Sequence, residues 1–293
     1  MADHTYCRHV FGNKAVWNRD VDHLADVDML AAAARSTGEK PDRLANSTLR
    51  AYQGVLFDQL DAGGHFPWVL SLGIYHRMRK RHGQQFCPQC LSQGPAWMRL
   101  RWRLAWSVCC PDHGCYLRDA CPHCDAPLIF HRLSLSTPGR LPCHVCNANL
   151  ASVSGTIPAN QRALRFERRL GRVLAGAPYR LPGASIEARA FFEGLRVLAR
   201  GAFSKRRLAG LEDALPSRTR RRRPVRPPMN IEHWRLTTRI FALDVVRRAL
   251  SDWPCAFIEQ ARHAGIYRAR FVGRRGEVLP AWMAAGLDGL RRR

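Results

Sequence analysis

The chain of 293 residues carries a formal net charge of +24, from 47 basic residues against 23 acidic ones. A chain of this length buries a core of its own and has room for two or more domains. Its excess of basic charge indicates a polyanionic partner, most simply a nucleic acid. The longest apolar run, Met29 to Ala34, is far too short to span a membrane, and the first 25 residues lack the pattern of a secretory signal. We therefore expect a cytoplasmic protein that associates with the nucleoid when it acts.

Residues 1–85 have the pattern of a helical region. Helices are predicted over residues 24–35, from Pro41, over 48–60 behind Ser47, and over 69–81. Gly38 is placed to end the first of them. Helix, glycine turn and helix in this order are typical of a DNA-binding helix-turn-helix, and equally of a plain helical bundle. The pattern leaves the choice between DNA and protein contacts open.

The N-terminal region also contains a thiol and imidazoles whose spacing fits no metal motif. We interpret them as packing and surface groups rather than a third metal site; they are Cys7, His4, His9 and His23.

Residues 86–150 hold four pairs of cysteine or histidine, each with two residues between its members. The pairs comprise Cys87, Cys90, Cys110, His113, Cys121, Cys124, Cys143 and Cys146. A two-residue gap lets both side chains of a tight turn point at one ion, and two such turns complete a tetrahedral site. Nineteen residues separate the first two pairs, 18 the last two, and seven the two halves. This spacing predicts two sequential structural Zn²⁺ ions in zinc-ribbon-like or LIM-like motifs, not an interleaved RING arrangement.

Other potential ligands lie close to these eight. Cys109 does not give the two-residue gap to His113, and Cys115 would strain a turn that already supplies two ligands. His123 and His144 lie inside their own pairs and should point away from the metal. With four protein ligands at each site and no open position, the two ions are predicted to be structural rather than catalytic.

The run AWMRLRWRLAW between the first two pairs alternates aromatic or aliphatic residues with arginines. A period of two predicts a strand or hairpin arm. Tryptophan beside arginine also suits nucleic-acid stacking. We favour packing around a zinc site for Trp102 and Trp106 and leave the role of the arginines open.

Residues 151–293 form a basic C-terminal region with 30 bases and 11 acids. Helices are predicted over residues 158–174, 186–203 behind Ser185, around 208–215, and over 230–253, 256–263 and 280–290. Prolines forbid a helix in the arginine-rich linker 217–229. Clustered guanidinium groups repel one another unless a polyanion meets them, so we favour phosphate contact over a solvated loop for Arg218, Arg220, Arg221, Arg222, Arg223 and Arg226.

The fold class predicted from these patterns is mainly α with small β. It comprises an N-terminal helix-turn-helix-like region (1–85), tandem zinc motifs (86–150) and a basic helical domain (151–293). The sequence contains no phosphate loop and no GxSxG, HExxH or HRD motif, which favours a binding protein over an enzyme. A nucleic-acid-processing enzyme with structural zinc is thereby disfavoured.

The cysteine-rich block resembles the TniQ/TnsD family of transposition proteins. The resemblance lies in FCPQCL (86–91), RLRWRLAWSVCCPDHGCYL (99–117), RDACPHCDAPL (118–128) and CHVCNANL (143–150). It extends more loosely over 24–81, 191–199 and 252–266. The chain departs from longer, sequence-specific members by its short region after residue 150.

The resemblance implies a non-enzymatic adaptor in transposon target-site selection. Such a protein binds DNA or a guide-RNA effector complex and recruits an AAA+ ATPase that regulates the transposase. The alternative is a zinc-ribbon, helix-turn-helix transcription regulator. The sequence leaves open the target site, the surface that meets the ATPase and whether the chain forms a homodimer.

Overall fold

The computed structural model describes residues 3–14, 16, 19–60, 65–72, 81–93, 97–129, 132, 140–201, 230–272 and 278–291. Two compact units divide the chain, Met1–Pro158 and Ala159–Arg293. The sequence-based division at residues 85 and 150 stays a prediction. Within the described ranges no helix is long and apolar enough to cross a membrane.

The first unit opens with short helices. They are α1 (Asp3–Phe11), α2 (Val21–Leu24), α3 (Val27–Thr37) and α4 (Pro41–Ala45), followed by a 3₁₀ helix at Leu49–Tyr52. The Asp26 side chain caps α3 by accepting a hydrogen bond from the Met29 amide, at 2.7 Å. Gly38, with a φ of 74°, ends the helix as predicted. Val16, Ala25 and Met29 form a small core beneath these helices, and Cys7 packs against it.

Two helices predicted in this region are wrong. Instead of a helix over 48–60, a single 3₁₀ turn is capped by Thr48 and ends at Tyr52, because Gln53 is extended. Residues 69–72 do not begin a helix, and Val69 pairs in antiparallel fashion with Leu104. The remainder of that predicted helix, residues 73–80, lies outside the described residues.

The cysteine-rich block contributes one short helix and one short hairpin. Helix α5 (Pro88–Ser92) carries the second cysteine of the first pair. Strands β1 (Cys109–Cys110) and β2 (Cys115–Tyr116) pair antiparallel, with Cys110 opposite Cys115. The strand predicted for AWMRLRWRLAW is wrong, because Leu100–Arg103 forms a 3₁₀ helix.

That turn directs Arg103 and Trp102 into the interior. Trp102 and Trp106 are buried, which confirms that they pack rather than stack on a ligand, whereas Trp97 is 62% exposed. Residues 102–106 are all buried, so the period of two does not correspond to the two faces of a strand.

The second unit is mainly helical. Helix α6 (Gln161–Leu174) is followed by the hairpin β3 (Tyr179–Leu181) and β4 (Ala184–Ile186), and then by α7 (Ala188–Gly201). The part of the unit described from residue 230 onwards contains a 3₁₀ turn (Ile231–His233), α8 (Leu236–Ala249), α9 (Cys255–His263), a 3₁₀ turn (Arg268–Arg270) and α10 (Ala281–Leu287). The predicted short helix around 208–215 lies outside the described residues.

Two boundaries in the second unit differ from prediction. Residues 184–186 are a strand, so α7 starts at Ala188 rather than at Ile186. The helix predicted over 230–253 is interrupted, because Trp234 and Arg235 are extended between the 3₁₀ turn and α8. Tyr179 stacks on Phe191 at 3.9 Å between ring centroids, which fixes the hairpin against α7. The predicted fold class, mainly α with small β, is confirmed.

Candidate metal centre

The structure brings the eight predicted ligands together in two groups of four. Cys87, Cys90, Cys110 and His113 form the first group, and Cys121, Cys124, Cys143 and Cys146 the second. Within each group the ligand atoms all lie within 4.8 Å of one another. The groups are sequential along the chain, as the spacing predicts, and not interleaved.

The first group has the dimensions of a tetrahedral zinc site. Cys90 Sγ lies 3.6 Å from Cys110 Sγ, and His113 Nδ1 lies 3.2 Å from Cys90 Sγ and 3.4 Å from Cys110 Sγ. Tetrahedral bonds of about 2.3 Å to sulfur and 2.0 Å to nitrogen place ligand atoms roughly 3.5 to 3.8 Å apart. These residues therefore fit Zn²⁺ with three thiolates and one imidazole.

The second group has four thiols at similar separations. Cys121 Sγ lies 3.6 Å from Cys146 Sγ, and Cys124 Sγ lies 3.7 Å from Cys143 Sγ. In both groups the first cysteine of each pair is buried, but Cys124 and Cys146 are exposed whereas Cys90 and His113 are only half-buried. The second site is thus the more open to solvent and to chelating reagents.

Three of the four ligand turns share one backbone design. Gly114, Asp125 and Asn147 each follow the second ligand of a pair and have φ values of 61°, 56° and 60°. The amide of each donates to the carbonyl of the first ligand, at 2.9 to 3.0 Å. Glycine, aspartate and asparagine tolerate this left-handed conformation best, so the residue after each pair lets the turn close.

The remaining turn is helical. Cys87 precedes α5 and its carbonyl accepts from the Leu91 amide at 3.1 Å, while Pro88 occupies the first helical position. One helical turn brings Cys90 back to the same side as Cys87.

A second hydrogen bond fixes the imidazole of the first group. His113 Nε2 lies 2.8 Å from Gln93 Oε1, and because an amide oxygen only accepts, Nε2 carries the proton. Nδ1 is then left unprotonated and directed at the three thiols. Metal-binding histidines are usually held in this way by a partner on the other ring nitrogen.

Crowding of the thiols also fits a cation at the first site. Burial, followed by the neighbouring Cys110 thiol, raises the pKa of Cys90 to about 11. The neighbouring Cys87 and burial raise the pKa of Cys110 to about 12. Thiols this close oppose one another's ionisation, and a bound metal ion deprotonates coordinating thiols outright.

Arginines surround the sulfur atoms. Arg101 Nη2 lies 3.8 Å from Cys110 Sγ and donates at 2.9 Å to Asp112, which Arg99 also contacts. Partial burial would raise the pKa of Asp112, but the Arg101 and Arg99 guanidinium groups outweigh it and hold that pKa below its ordinary value. This network holds the turn that carries His113.

Arg118 faces both groups. Its charge interacts with Cys87 and Cys115 on one side and with Cys121 on the other, and burial lowers its pKa. Nη2 donates to the Ser154 carbonyl at 2.8 Å, whereas Nη1 is buried with no hydrogen-bond partner in the described part of the chain. Zinc with three thiolates and an imidazole carries a net charge of about −1, and zinc with four thiolates about −2. A buried cation therefore suits the loaded clusters.

The other nearby thiols and imidazoles take different positions. Cys115 Sγ lies 3.6 Å from Cys87 Sγ but outside the set of four. Cys109 is buried, His123 is exposed and His144 is half-buried. In the N-terminal region His23 packs edge-on against Phe66, with ring centroids 4.7 Å apart. Among the described residues no third group of metal-ligating side chains occurs.

Spacing could not have revealed Gln93, Arg101 or Arg118, because their partners are distant in sequence. The six arginines predicted to contact phosphate, Arg218, Arg220, Arg221, Arg222, Arg223 and Arg226, lie outside the described residues.

One comparison with known proteins gives a match. The family model TniQ matches residues 1–117, which include the N-terminal helices and the whole first ligand group but not the second. No curated protein and no solved structure is significantly similar to the chain. The TniQ family is associated with transposition. The resemblance seen in the sequence is thus confirmed over residues 1–117, which are similar to the TniQ family.

Proposed function

We propose that the chain is a non-enzymatic transposition adaptor that helps to select the target site. In this proposal it binds DNA or a guide-RNA effector complex and recruits an AAA+ ATPase that regulates the transposase. The observation that carries the proposal is the TniQ match over residues 1–117.

The two ligand groups support a scaffolding role for residues 86–150. Cys87, Cys90, Cys110 and His113 would hold one Zn²⁺, and Cys121, Cys124, Cys143 and Cys146 a second. Zinc with four protein ligands has no position left for a substrate, so in these sites it stabilises the fold and supplies no chemistry. The helices and strands in the described part of this block are short, which makes cross-linking by metal important to it.

The basic charge of residues 151–293 also supports the adaptor proposal. Residues 151–293 carry 30 of the 47 basic residues, and phosphate backbones attract such a surface from a distance. We propose that the arginines of the 217–229 linker contact phosphate. Replacing Arg220–Arg223 by alanine is expected to weaken DNA binding and flatten its salt dependence. Unchanged DNA binding would indicate that these four arginines belong to a solvated loop.

The alternative, a helix-turn-helix transcription regulator, needs a recognition helix that reaches base edges. The second helix of the N-terminal pair, α4, has five residues and is about 7 Å long. A helix this short presents little more than one turn to a groove. This observation favours protein contacts for the N-terminal helices.

Binding of the predicted AAA+ ATPase partner tests the proposal. The gene should lie beside genes for an integrase-like transposase and an AAA+ ATPase. The purified zinc-loaded chain should retain that ATPase on an affinity column, whereas an unrelated AAA+ ATPase should pass through. Equal retention of both ATPases, or of neither, would contradict an adaptor role.

A further inference from the structure

Helix α6 separates its residues sharply into an apolar and a basic face. Leu164, Phe166, Leu170 and Val173 are buried in the second unit. Arg162, Arg165, Arg168 and Arg172 are exposed. Their spacing of three or four residues places them along one side of the helix. We call the four the α6 arginine face.

Acidic residues are scarce in the segment that carries this face. Residues 151–186 contain six arginines and a single acid, Glu167, which is only 4% exposed. Other arginines of the second unit form ion pairs: Arg189 pairs with Glu193 at 3.1 Å, and Arg268 pairs with Asp288. Within residues 151–186 the basic residues therefore outnumber the acidic ones by six to one.

A neighbouring hairpin extends the same surface. Arg169 lies over the Tyr179 ring, 3.8 Å from its centroid, and donates to the Arg180 carbonyl. Tyr179 itself is buried against Phe191. This contact fixes β3 beside α6 and leaves the Arg180 side chain exposed next to the helix. The positions of the charges are thus set by packed secondary structure.

We infer that the α6 arginine face binds the phosphate backbone of a nucleic-acid duplex. From Arg162 to Arg172 the helix rises about 15 Å, a length over which one DNA strand presents about four phosphates. Arg162, Arg165 and Arg172 place three guanidinium groups along that length of a packed helix. Guanidinium forks also bind phosphate oxygens in pairs.

Two other polyanionic partners fit this face less well. An amphipathic helix that binds a membrane surface inserts its apolar side into the lipid, but the apolar side of α6 is already buried in the unit. A protein interface of ordinary composition has apolar or aromatic residues at its centre. No large hydrophobic residue of α6 is exposed, so nothing on this face would form such a centre.

The inference rests on the proposed function, since it assigns the nucleic-acid contact of the adaptor to particular residues. It concerns described side chains and is independent of the 217–229 linker. It predicts binding without sequence preference, because contacts to phosphate position a protein and do not read bases.

The test compares two variants of the full zinc-loaded chain with equal loss of charge. One carries R162Q, R165Q and R172Q on the α6 arginine face. The control carries R43Q, R189Q and R268Q, whose arginines each pair with an acid. Arg169 is retained because it packs on Tyr179, and Arg168 because it makes a further interaction within the protein. Binding to a 30-base-pair DNA duplex and to an RNA duplex is measured by fluorescence anisotropy between 50 and 200 mM salt.

The α6 variant is expected to bind DNA, RNA or both more weakly, with a log–log salt slope shallower by about 2.7 than that of the wild type. The salt slope of the control should differ from that of the wild type by no more than about 1, which corresponds to one phosphate contact. Equal losses in both variants would show a general charge effect and overturn the inference. Competition by polyglutamate as effective as that by DNA at equal charge would also overturn it.

A melting temperature of the α6 variant no lower than that of wild type would show that the fold is intact, because like charges on one helix face repel. If the wild type bound no nucleic acid, the nucleic-acid part of the proposed function would fail. If the wild type bound and the α6 variant bound equally well, only the inference about α6 would fail.

Discussion

Arg103 and Asp20 form a buried two-point ion pair across 83 residues of sequence. Nη1 of Arg103 lies 2.9 Å from Oδ1 of Asp20, and Nη2 lies 2.6 Å from Oδ2. Arg103 also contacts Asp22 at 3.1 Å and donates to the Leu70 carbonyl at 3.1 Å. Its side chain is 2% exposed. One guanidinium group therefore ties the N-terminal helices and the segment around residue 70 to the zinc block.

Arg103→Ala is expected to destabilise the first unit by about 3 to 5 kcal/mol, because two carboxylates would be left without their buried partner. Burial already raises the pKa of Asp22, against the influence of Arg103. The measurement is hydrogen exchange of the Leu70 and Ala105 amides, which pair the two segments.

Arg43→Ala is the control for this prediction. It removes an exposed pair with Glu39 and should cost less than about 1 kcal/mol. Equal protection of the Leu70 amide in both variants would contradict a central role for Arg103.

Gln93→Ala is expected to weaken zinc binding at the first site about 10- to 100-fold. The substitution removes the oxygen that accepts from His113 Nε2 and so frees the ring to rotate or change tautomer. Competition with a chromophoric chelator measures the affinity. The second site of the same variant is the internal control, and a loss at both sites would indicate general unfolding.

Asp26→Asn is expected to remove a pH dependence from α3 while keeping its cap. The hydrogen bond from Lys14, followed by that from the Met29 amide, lowers the pKa of Asp26 below its ordinary value of 3.8. An acid whose folded pKa is depressed stabilises the fold above its unfolded pKa, and this contribution is lost as the pH falls through the folded pKa. At pH 6 the Leu30 amide of the wild type should thus be better protected from hydrogen exchange than that of the variant.

The two proteins should converge in protection below the folded pKa of Asp26. Asp28→Asn removes the same charge without touching the cap and serves as the control. If the Asp26→Asn difference persisted unchanged at low pH, the ionised cap would not be its cause.

Gly194→Ala and Gly171→Ala are expected to have opposite effects on the second unit. A β-carbon at Gly194 would lie 2.2 Å from the Trp282 ring, so the overpacked variant should lose about 1 to 3 kcal/mol. A β-carbon at Gly171 would meet nothing within 4 Å, and alanine should gain up to about 1 kcal/mol of helix propensity. Thermal unfolding followed by circular dichroism measures both; the same sign for the two would contradict the packing described.

The ligand groups were predictable from sequence because each turn is local. A two-residue gap and a following residue suited to positive φ, such as Asp125 or Asn147, determine the turn without reference to the rest of the chain. The clean apolar period of α6 and the glycine after α3 were predictable for the same reason.

Other features depend on partners that no local pattern contains. Arg103 is buried because two aspartates more than 80 residues earlier meet it, so an alternating run was misread as a strand. Residues 69–72 do not form a helix, because the Leu70 amide donates to the Arg103 carbonyl and Val69 pairs with Leu104. Long-range pairing of this kind outweighs the local preference for helix.

The zinc content of the purified chain tests the central claim, that residues 86–150 form a two-ion scaffold. Elemental analysis of the native protein should give two zinc ions per chain, and Cys143→Ser should reduce this to one while leaving the first site loaded. Cys115→Ser, which alters a thiol 3.6 Å from Cys87, should still give two. One ion or none in the native chain would contradict the eight-ligand assignment.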